Sequence, residues 1–140
     1  MKKGFRKYVP ALLLLVAVVF LVESGRERRS AEMGEVVDVT DATFADAVEA
    51  APSWVVVDFQ AAWCGRCRAL SPILAEMAAK YEGRIKFTTV DVDENPGLVD
   101  RFHVQSVPLV YLFKNGVVVD DFLGYRNREQ VRAWLEAHLG

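Results

Sequence analysis

The chain has 140 residues, which is enough for one domain with a hydrophobic core. Its composition, 52% hydrophobic and 26% charged, is that of a globular protein. The net charge of −2 divides unevenly, with +5 on residues 1–29 and −7 on residues 30–140. An acidic domain lacks the basic surface that nucleic acid requires, so we expect no nucleic-acid partner.

Residues 1–29 have the layout of a secretory signal peptide or a signal-anchor. Basic residues come first, and an uncharged apolar run follows from Tyr8 to Val22 (residues 8–22). The run is slightly short for a membrane span, although Lys7 and Arg26 can extend it by snorkelling. We predict an uncleaved anchor. The alternatives are cleavage near Gly25, where the sequence has no A-x-A site, and a buried core helix.

The charges that flank the apolar run predict its orientation. Four basic residues precede the run and three follow it, which favours an N-terminus inside the cell. The domain would then lie on the periplasmic or outer face of a single-pass cell-membrane protein, or be exported in soluble form after cleavage. We predict a linker over 30–34 and a folded domain over 35–140.

The domain alternates strand and helix patterns before closing with a hairpin and a helix. The predicted elements are strands over 35–39, 54–61 and 85–92, helices over 40–51, 64–81 and 95–104, two strands within 108–124 and a helix over 127–139. The continuous apolar run 54–61 is typical of a central strand buried on both faces. Asn115-Gly116 is a strong hairpin signal, and Asn127 caps the last helix. The order predicts an α/β fold with a mixed sheet flanked by helices on both faces.

The only two cysteines, Cys64 and Cys67, lie within the sequence WCGRC. A zinc site requires about four ligands, and the chain adds only the distant His103 and His138. A structural disulfide here would close a loop too small to restrict the unfolded chain much. These readings and a pair of inert buried thiols remain as alternatives, but a C-x-x-C between a strand and a helix favours a redox-active dithiol.

The position of the cysteines supports this chemistry. Cys64 falls between the predicted strand 54–61 and the next helix, where unpaired backbone N–H groups and the helix dipole stabilise an anionic sulfur. Cys67 follows one turn later, within reach of a mixed disulfide on Cys64. Gly65 keeps the backbone between them open, and Arg66 adds positive charge beside the thiolate.

A carboxylate interrupts the apolar strand at Asp58. Burying a carboxylate is costly and raises its pKa toward neutrality. A buried acid near Cys67 would take the proton of that thiol when the thiol must attack. The alternative is a structural aspartate held by hydrogen bonds.

Three segments resemble the thioredoxin family, in the same order and at the usual spacings: VVVDFQAAWCGRCRALSPIL, VDVDENPGLVDRFHVQSVP and LFKNGVVVDDFLGYRNREQV. The likeness covers about residues 35–140. The W-C-x-x-C motif, the aspartate six residues before the first cysteine and the proline 44 residues after it are specific in combination. The resemblance implies the thioredoxin-like fold.

The resemblance also implies residue roles. Cys64 would be the attacking thiolate, Cys67 the resolving thiol and Asp58 the buried acid. Pro108 would be a cis-proline facing the dithiol, and Pro72 would kink the active-site helix. A substrate groove would be lined by Trp63, Val107, Pro108 and Gly124. This chemistry needs no metal ion and no organic cofactor.

Four positions depart from the family pattern. Arg66 stands where proline is usual, so we assign redox tuning to Arg66 together with Gly65. Thr89 stands where a lysine usually pairs with the buried aspartate. Gln60 replaces a second tryptophan, and Leu109 replaces a threonine.

The sequence thus predicts a membrane-tethered thiol–disulfide oxidoreductase that reduces disulfides in other proteins. Its electron donor would be a membrane electron carrier or a thioredoxin reductase, and we expect a monomer. Two rival hypotheses remain: an oxidase that inserts disulfides, and a tethered module that binds client proteins without turnover.

Overall fold

The computed structural model describes residues 8–140, and for residues 27–32 it describes the backbone alone. The basic residues Lys2, Lys3, Arg6 and Lys7, on which the signal-anchor prediction partly rests, lie outside the described residues. The chain divides into two compact units, Met1–Glu32 and Met33–Gly140.

The first unit contains one helix, α1 (Val9–Glu32), in its described part. The apolar side chains from Tyr8 to Val22 are all exposed. The segment Val9–Arg26 is long and apolar enough to cross a membrane, with a mean hydropathy of 2.0. The helix continues to Glu32, so the predicted linker over 30–34 is helical in its first half. The physical reason is that the Glu, Arg and Ala residues after the apolar run are good helix formers.

The second unit follows the predicted order of elements. Its strands are β1 (Val36–Asp38), β2 (Trp54–Gln60), β3 (Ile85–Asp91), β4 (Leu109–Lys114) and β5 (Val117–Leu123). Its α-helices are α2 (Gly65–Lys80), α3 (Pro96–Arg101) and α4 (Arg128–Leu139). The element predicted as a helix over 40–51 is a short π-helix, Ala45–Glu49, preceded by a turn.

The five strands form one mixed sheet in the order β1-β3-β2-β4-β5. β3 runs parallel to both β1 and β2, whereas β4 is antiparallel to β2 and to β5. The β4–β5 turn has positive φ at Asn115 (50°) and Gly116 (77°), as the Asn-Gly pair predicts. A Cβ at Gly116 would approach the Glu49 carbonyl oxygen to 2.4 Å, so this turn also requires glycine for space.

The sheet is covered on both faces, and β2 is buried at its centre. α2 and α4 pack on one face, where Leu70, Leu74 and Leu135 join the core. The π-helix and α3 contribute Phe44, Val48 and Leu98 to the core on the other face. α4 is capped by Asn127, which accepts from the Gln130 N–H at 2.9 Å, and it buries Val131, Trp134 and Leu135. This arrangement is the α/β fold expected from the sequence.

Candidate active site

The two cysteines lie where β2 ends and α2 begins. Cys64 is the N-cap of α2, and its sulfur accepts the backbone N–H of Cys67 at 3.2 Å. The two residues form a disulfide, with their Cα atoms 5.3 Å apart. A sulfur in this position occupies the site where a capping oxygen would satisfy a first-turn N–H, so an anion on Cys64 is stabilised there.

The two cysteines differ in their access to solvent. Cys64 is 7% exposed and Cys67 is 1% exposed, so an incoming substrate meets Cys64 first. Both pack in a small apolar cluster with Ala61, against Val92 and Val107. The assignment of Cys64 as the attacking sulfur stays a prediction from the sequence.

The segment 107–108 lies directly against the disulfide. The Cys64 sulfur is 3.7 Å from the Val107 carbonyl oxygen, and the Val107–Pro108 peptide bond is cis. Gly124 donates its N–H to the Pro108 carbonyl at 2.8 Å and has a φ of +88°. The structure therefore places Val107 beside Cys64 and ties Gly124 to the adjoining Pro108.

Trp63 precedes the dithiol and is 69% exposed. Its indole N–H donates to the Asp93 carboxylate at 3.0 Å, which fixes the ring on the rim of the site. Asp93 was not identified from the sequence, because the pattern DVDEN offers three acidic side chains and no indication of which one faces the tryptophan. A large exposed aromatic ring beside a reactive sulfur is suited to contact with a polypeptide.

Arg66 and Arg68, in the first turn of α2, flank Cys67 in the sequence. Arg66 is exposed, and no salt bridge holds it or Arg68 within the part of the chain that the structure describes. Arg68 donates to the Ala62 carbonyl at 2.9 Å. A Cβ on Gly65 would meet only the Arg68 guanidinium, at 3.9 Å, so the glycine leaves this edge of the disulfide open.

Asp58 lies in the interior of β2 and is 2% exposed. Its Oδ1 is buried without a hydrogen-bond partner among the described residues, and no hydrogen bond links its carboxyl to Cys67. Burial raises the pKa of Asp58 to about 7. Thr89 is its register partner on β3, but the Thr89 hydroxyl donates to the main-chain carbonyl of Asp58 at 3.3 Å and not to its carboxyl group.

A pocket of about 500 Å³ opens beside this carboxyl. Its lining consists of Met33, Val36, Asp58, Gln60, Ser71, Pro72, Leu74, Ala75 and Thr89. Two of the departures from the family pattern, Gln60 and Thr89, thus lie on the same wall. No pattern in the sequence indicates that Met33 lines this pocket. Its position is set by the neighbouring Gly34, whose N–H donates to the Ala75 carbonyl at 2.8 Å.

Metal binding is a weaker reading of the site. Across residues 8–140, no group of three or more His, Cys, Asp or Glu side chains is placed to hold a metal ion. Two cysteines closed into a disulfide have no thiolate to offer a metal. The arrangement instead fits the exchange of a disulfide with a second thiol pair.

Comparison with known proteins agrees with this geometry. The thioredoxin family profile matches residues 35–137. Thioredoxins of Staphylococcus aureus strains Mu50, MW2 and N315 are each 41% identical over 104 residues. Each match covers 74% of this chain and 98% of the relative, and about a quarter of this chain lies outside it. The chain therefore belongs to the thioredoxin family, and its Cys64–Cys67 pair makes it a thiol–disulfide oxidoreductase.

Proposed function

We propose that this protein reduces disulfide bonds in other proteins while tethered to a membrane by α1. The observation that carries the proposal is the Cys64–Cys67 pair at the start of α2, with the more exposed sulfur beside Trp63 and the 107–108 segment. The substrates are disulfide-containing proteins, and the oxidised pair is reduced again by a membrane electron carrier or a thioredoxin reductase.

The reaction proceeds in two exchanges. The Cys64 thiolate attacks one sulfur of the substrate disulfide, so a Cys64–substrate bond forms and the other substrate sulfur leaves as a thiolate. Cys67 then gives its proton to Asp58, directly or through one water, and attacks the Cys64 sulfur. The mixed disulfide breaks, the second substrate sulfur leaves and takes up a proton, and two electrons have passed to the substrate.

Substitutions of the two cysteines are expected to block different steps of the reaction. Cys64→Ser should lower insulin-disulfide reduction at least about a thousandfold, because the nucleophile is lost. Cys67→Ser should accumulate mixed disulfides with its substrates, visible on non-reducing gels and identifiable by mass spectrometry. Cys64→Ser/Cys67→Ser is the control and should trap nothing. Equal turnover by wild type and Cys64→Ser would contradict the assignment of the nucleophile. If the double variant still binds its client proteins and prevents their aggregation, the binding module is favoured instead.

One observation favours the oxidase as a second candidate. Arg66 places an exposed cation between the cysteines, which stabilises the reduced form and shifts the couple toward oxidation of substrates. The reduction potential of the full chain in micelles distinguishes the two directions. A potential near −270 mV, typical of reductants, supports the reductase, whereas one near −120 mV supports the oxidase.

The exposed apolar surface of α1 supports the tether. Its segment Val9–Arg26 has no buried residue, unlike a core helix, and would extend about 27 Å at 1.5 Å per residue. That length is close to the hydrocarbon thickness of a bilayer, about 30 Å. The anchor itself is proposed over 1–29, the folded domain over 35–140, and the domain on the extracytoplasmic side.

A reporter fused after Gly140 tests the topology. Alkaline phosphatase requires export, so its activity should appear in the fusion, and the protein should stay with membranes after a high-salt wash. The same reporter fused to residues 35–140 alone is the control and should stay inactive. An inactive full-length fusion would overturn the orientation, and release into the soluble fraction would favour cleavage near Gly25.

A further inference from the structure

One ionisable residue among those described lines the pocket, and one oxygen of its carboxyl group has no hydrogen-bond partner there. Asp58 Oδ1 is buried without a partner, and Asp58 is the only titratable side chain among the described residues that line the pocket. Burial is the cause that raises the pKa of Asp58. An unpaired buried carboxylate is costly, so a cation in this pocket would interact chiefly with the Asp58 carboxylate.

The hydroxyl groups of the same wall present acceptors. Ser71 already donates its hydroxyl hydrogen to the Cys67 carbonyl at 3.0 Å, and Thr89 donates its own to the Asp58 carbonyl. Both oxygens therefore keep only lone pairs for a ligand. A wall of two hydroxyl oxygens and a carboxylate suits a ligand that carries several donors and no acceptor, which is the property of a primary ammonium group.

Apart from Gln60, the remainder of the pocket is apolar, and it is large enough for a short alkyl chain. Val36, Pro72, Leu74 and Ala75 form its walls, and Met33 adds a flexible thioether at the side where the chain enters the domain. A volume of about 500 Å³ lies within the range of small-molecule sites. An apolar cavity with one convergent polar cluster is the usual form of such sites.

We propose that this pocket binds a primary alkylammonium group, with its nitrogen at the Asp58 carboxylate and its alkyl chain along Val36, Pro72 and Leu74. The group belongs either to a small free amine or to the lysine side chain of a docked protein. Its N–H donors bond to Asp58, Ser71 and Thr89. This site adds to the proposed redox function and does not depend on it.

Binding is measured directly on the oxidised full chain in uncharged maltoside micelles, with n-butylammonium chloride as the probe. The ¹³C resonance of the Asp58 carboxyl group reports its ionisation. At saturation the pKa of Asp58 should fall by about 1–3 units, because an opposite charge within hydrogen-bonding distance favours the ionised form. Below pH 7 the affinity should rise about tenfold per pH unit, since the amine binds the ionised carboxylate.

Four comparisons make the test specific. Tetramethylammonium chloride at equal ionic strength has the same charge and no N–H donor, so it should leave the pKa unchanged. Asp58→Asn should abolish the thermal stabilisation by butylammonium that wild type shows. Thr89→Lys, which the register places beside Asp58, should lower the pKa of Asp58 without added amine and remove the response to butylammonium. Ala42→Lys adds the same residue at an exposed turn and should change neither.

The source of the ammonium group is distinguished by a second probe, Nα-acetyl-lysine amide. Tighter binding than butylammonium assigns the pocket to a protein lysine, and weaker binding assigns it to a free amine. Equal pKa shifts with butylammonium and tetramethylammonium, or binding retained in Asp58→Asn, would overturn the proposal and leave a water-filled pocket. The wild-type and Asp58→Asn measurements decide this even where Thr89→Lys does not fold.

Discussion

A negative charge is stabilised at Cys64, at the start of α2, but destabilised at Asp58, in the interior of β2. At Cys64 the sulfur accepts the Cys67 N–H at 3.2 Å and faces the positive end of α2. At Asp58 one carboxyl oxygen has no partner among the described residues, and burial raises the pKa to about 7. An anion is therefore favoured on the sulfur and disfavoured on the carboxyl.

The difference comes from which backbone donors are available. In the first turn of a helix the N–H groups have no partner within the helix, so they can serve a side chain. In the interior of β2 the ladders to β3 and β4 occupy the backbone groups on both sides. Burial therefore sets the pKa of Asp58. A group with a pKa near 7 can take up and release a proton at neutral pH.

The largest expected effect is on stability, through Asp58→Asn. The pKa of about 7 in the folded protein lies above the ordinary aspartate pKa of 3.8, so ionising Asp58 opposes folding. Wild type should lose stability as pH rises from about 4 to about 7, reaching a deficit of about 4 kcal/mol above pH 7. Asp58→Asn should be more stable than wild type by up to that amount at pH 8, and equally stable at pH 4.

Urea unfolding of the oxidised full chain in micelles, at each pH, checks this difference. Asp46→Asn is a matched control, because Asp46 is exposed on the π-helix and the same substitution there should give a small offset that does not grow with pH. A stability difference between wild type and Asp58→Asn that stays constant from pH 4 to pH 8 would show that Asp58 titrates normally.

The next effect concerns the second exchange step. If Asp58 accepts the Cys67 proton, Asp58→Asn should slow release of the mixed disulfide about a hundredfold near pH 7–8. In wild type this rate should rise with pH and level off as Asp58 ionises near pH 7. Rapid-quench measurement of the mixed disulfide between pH 6 and pH 9 gives both rates.

Formation of the mixed disulfide provides the control for this step. On a Cys67→Ser background, Asp58→Asn should change the rate of formation by no more than about twofold, because the first exchange does not use the buried proton acceptor. An unchanged resolution rate across pH 6–9 would refute the base role of Asp58.

The smallest effect is expected on the reduction potential, from substitutions of Arg66 in the first turn of α2. An exposed cation there stabilises the Cys64 thiolate modestly, so Arg66→Gln should lower the reduction potential by about 10–20 mV. Arg66→Pro should lower it further, since proline suits the first helical turn and stiffens it. Protein–protein redox equilibration measures both shifts.

Salt and a distant arginine test whether charge is the cause. The shift of Arg66→Gln should shrink at high ionic strength, because exposed charges are screened. Arg84→Gln removes an exposed arginine outside the active site and should leave the potential unchanged. An unchanged or higher potential in both Arg66 variants would show that Arg66 does not tune the couple.

The element order and the dithiol were predictable because their signals are local. The apolar run of β2, the Asn-Gly turn and the Asn127 cap each act within a few residues, and all three appear in the structure. The C-x-x-C spacing places two sulfurs one helical turn apart whatever the rest of the fold does. The helix predicted over 40–51 was wrong in type and length, because packing of Phe44 and Val48 on the sheet decides that segment.

The sequence by itself determined the α/β order, the apolar character of α1 and the position of Cys64 at a helix start, since these depend on periodicity and on neighbours in the chain. Only the tertiary structure decided what surrounds Asp58. Its register partner on β3, the hydroxyl of Ser71 on α2 and the entry of the chain at Met33 come from distant parts of the sequence. Burial of Asp58 was expected from the apolar run 54–61. That Oδ1 lacks a hydrogen-bond partner among the described residues is decided only when β1, β2, β3 and α2 pack together, because these elements are distant in the sequence.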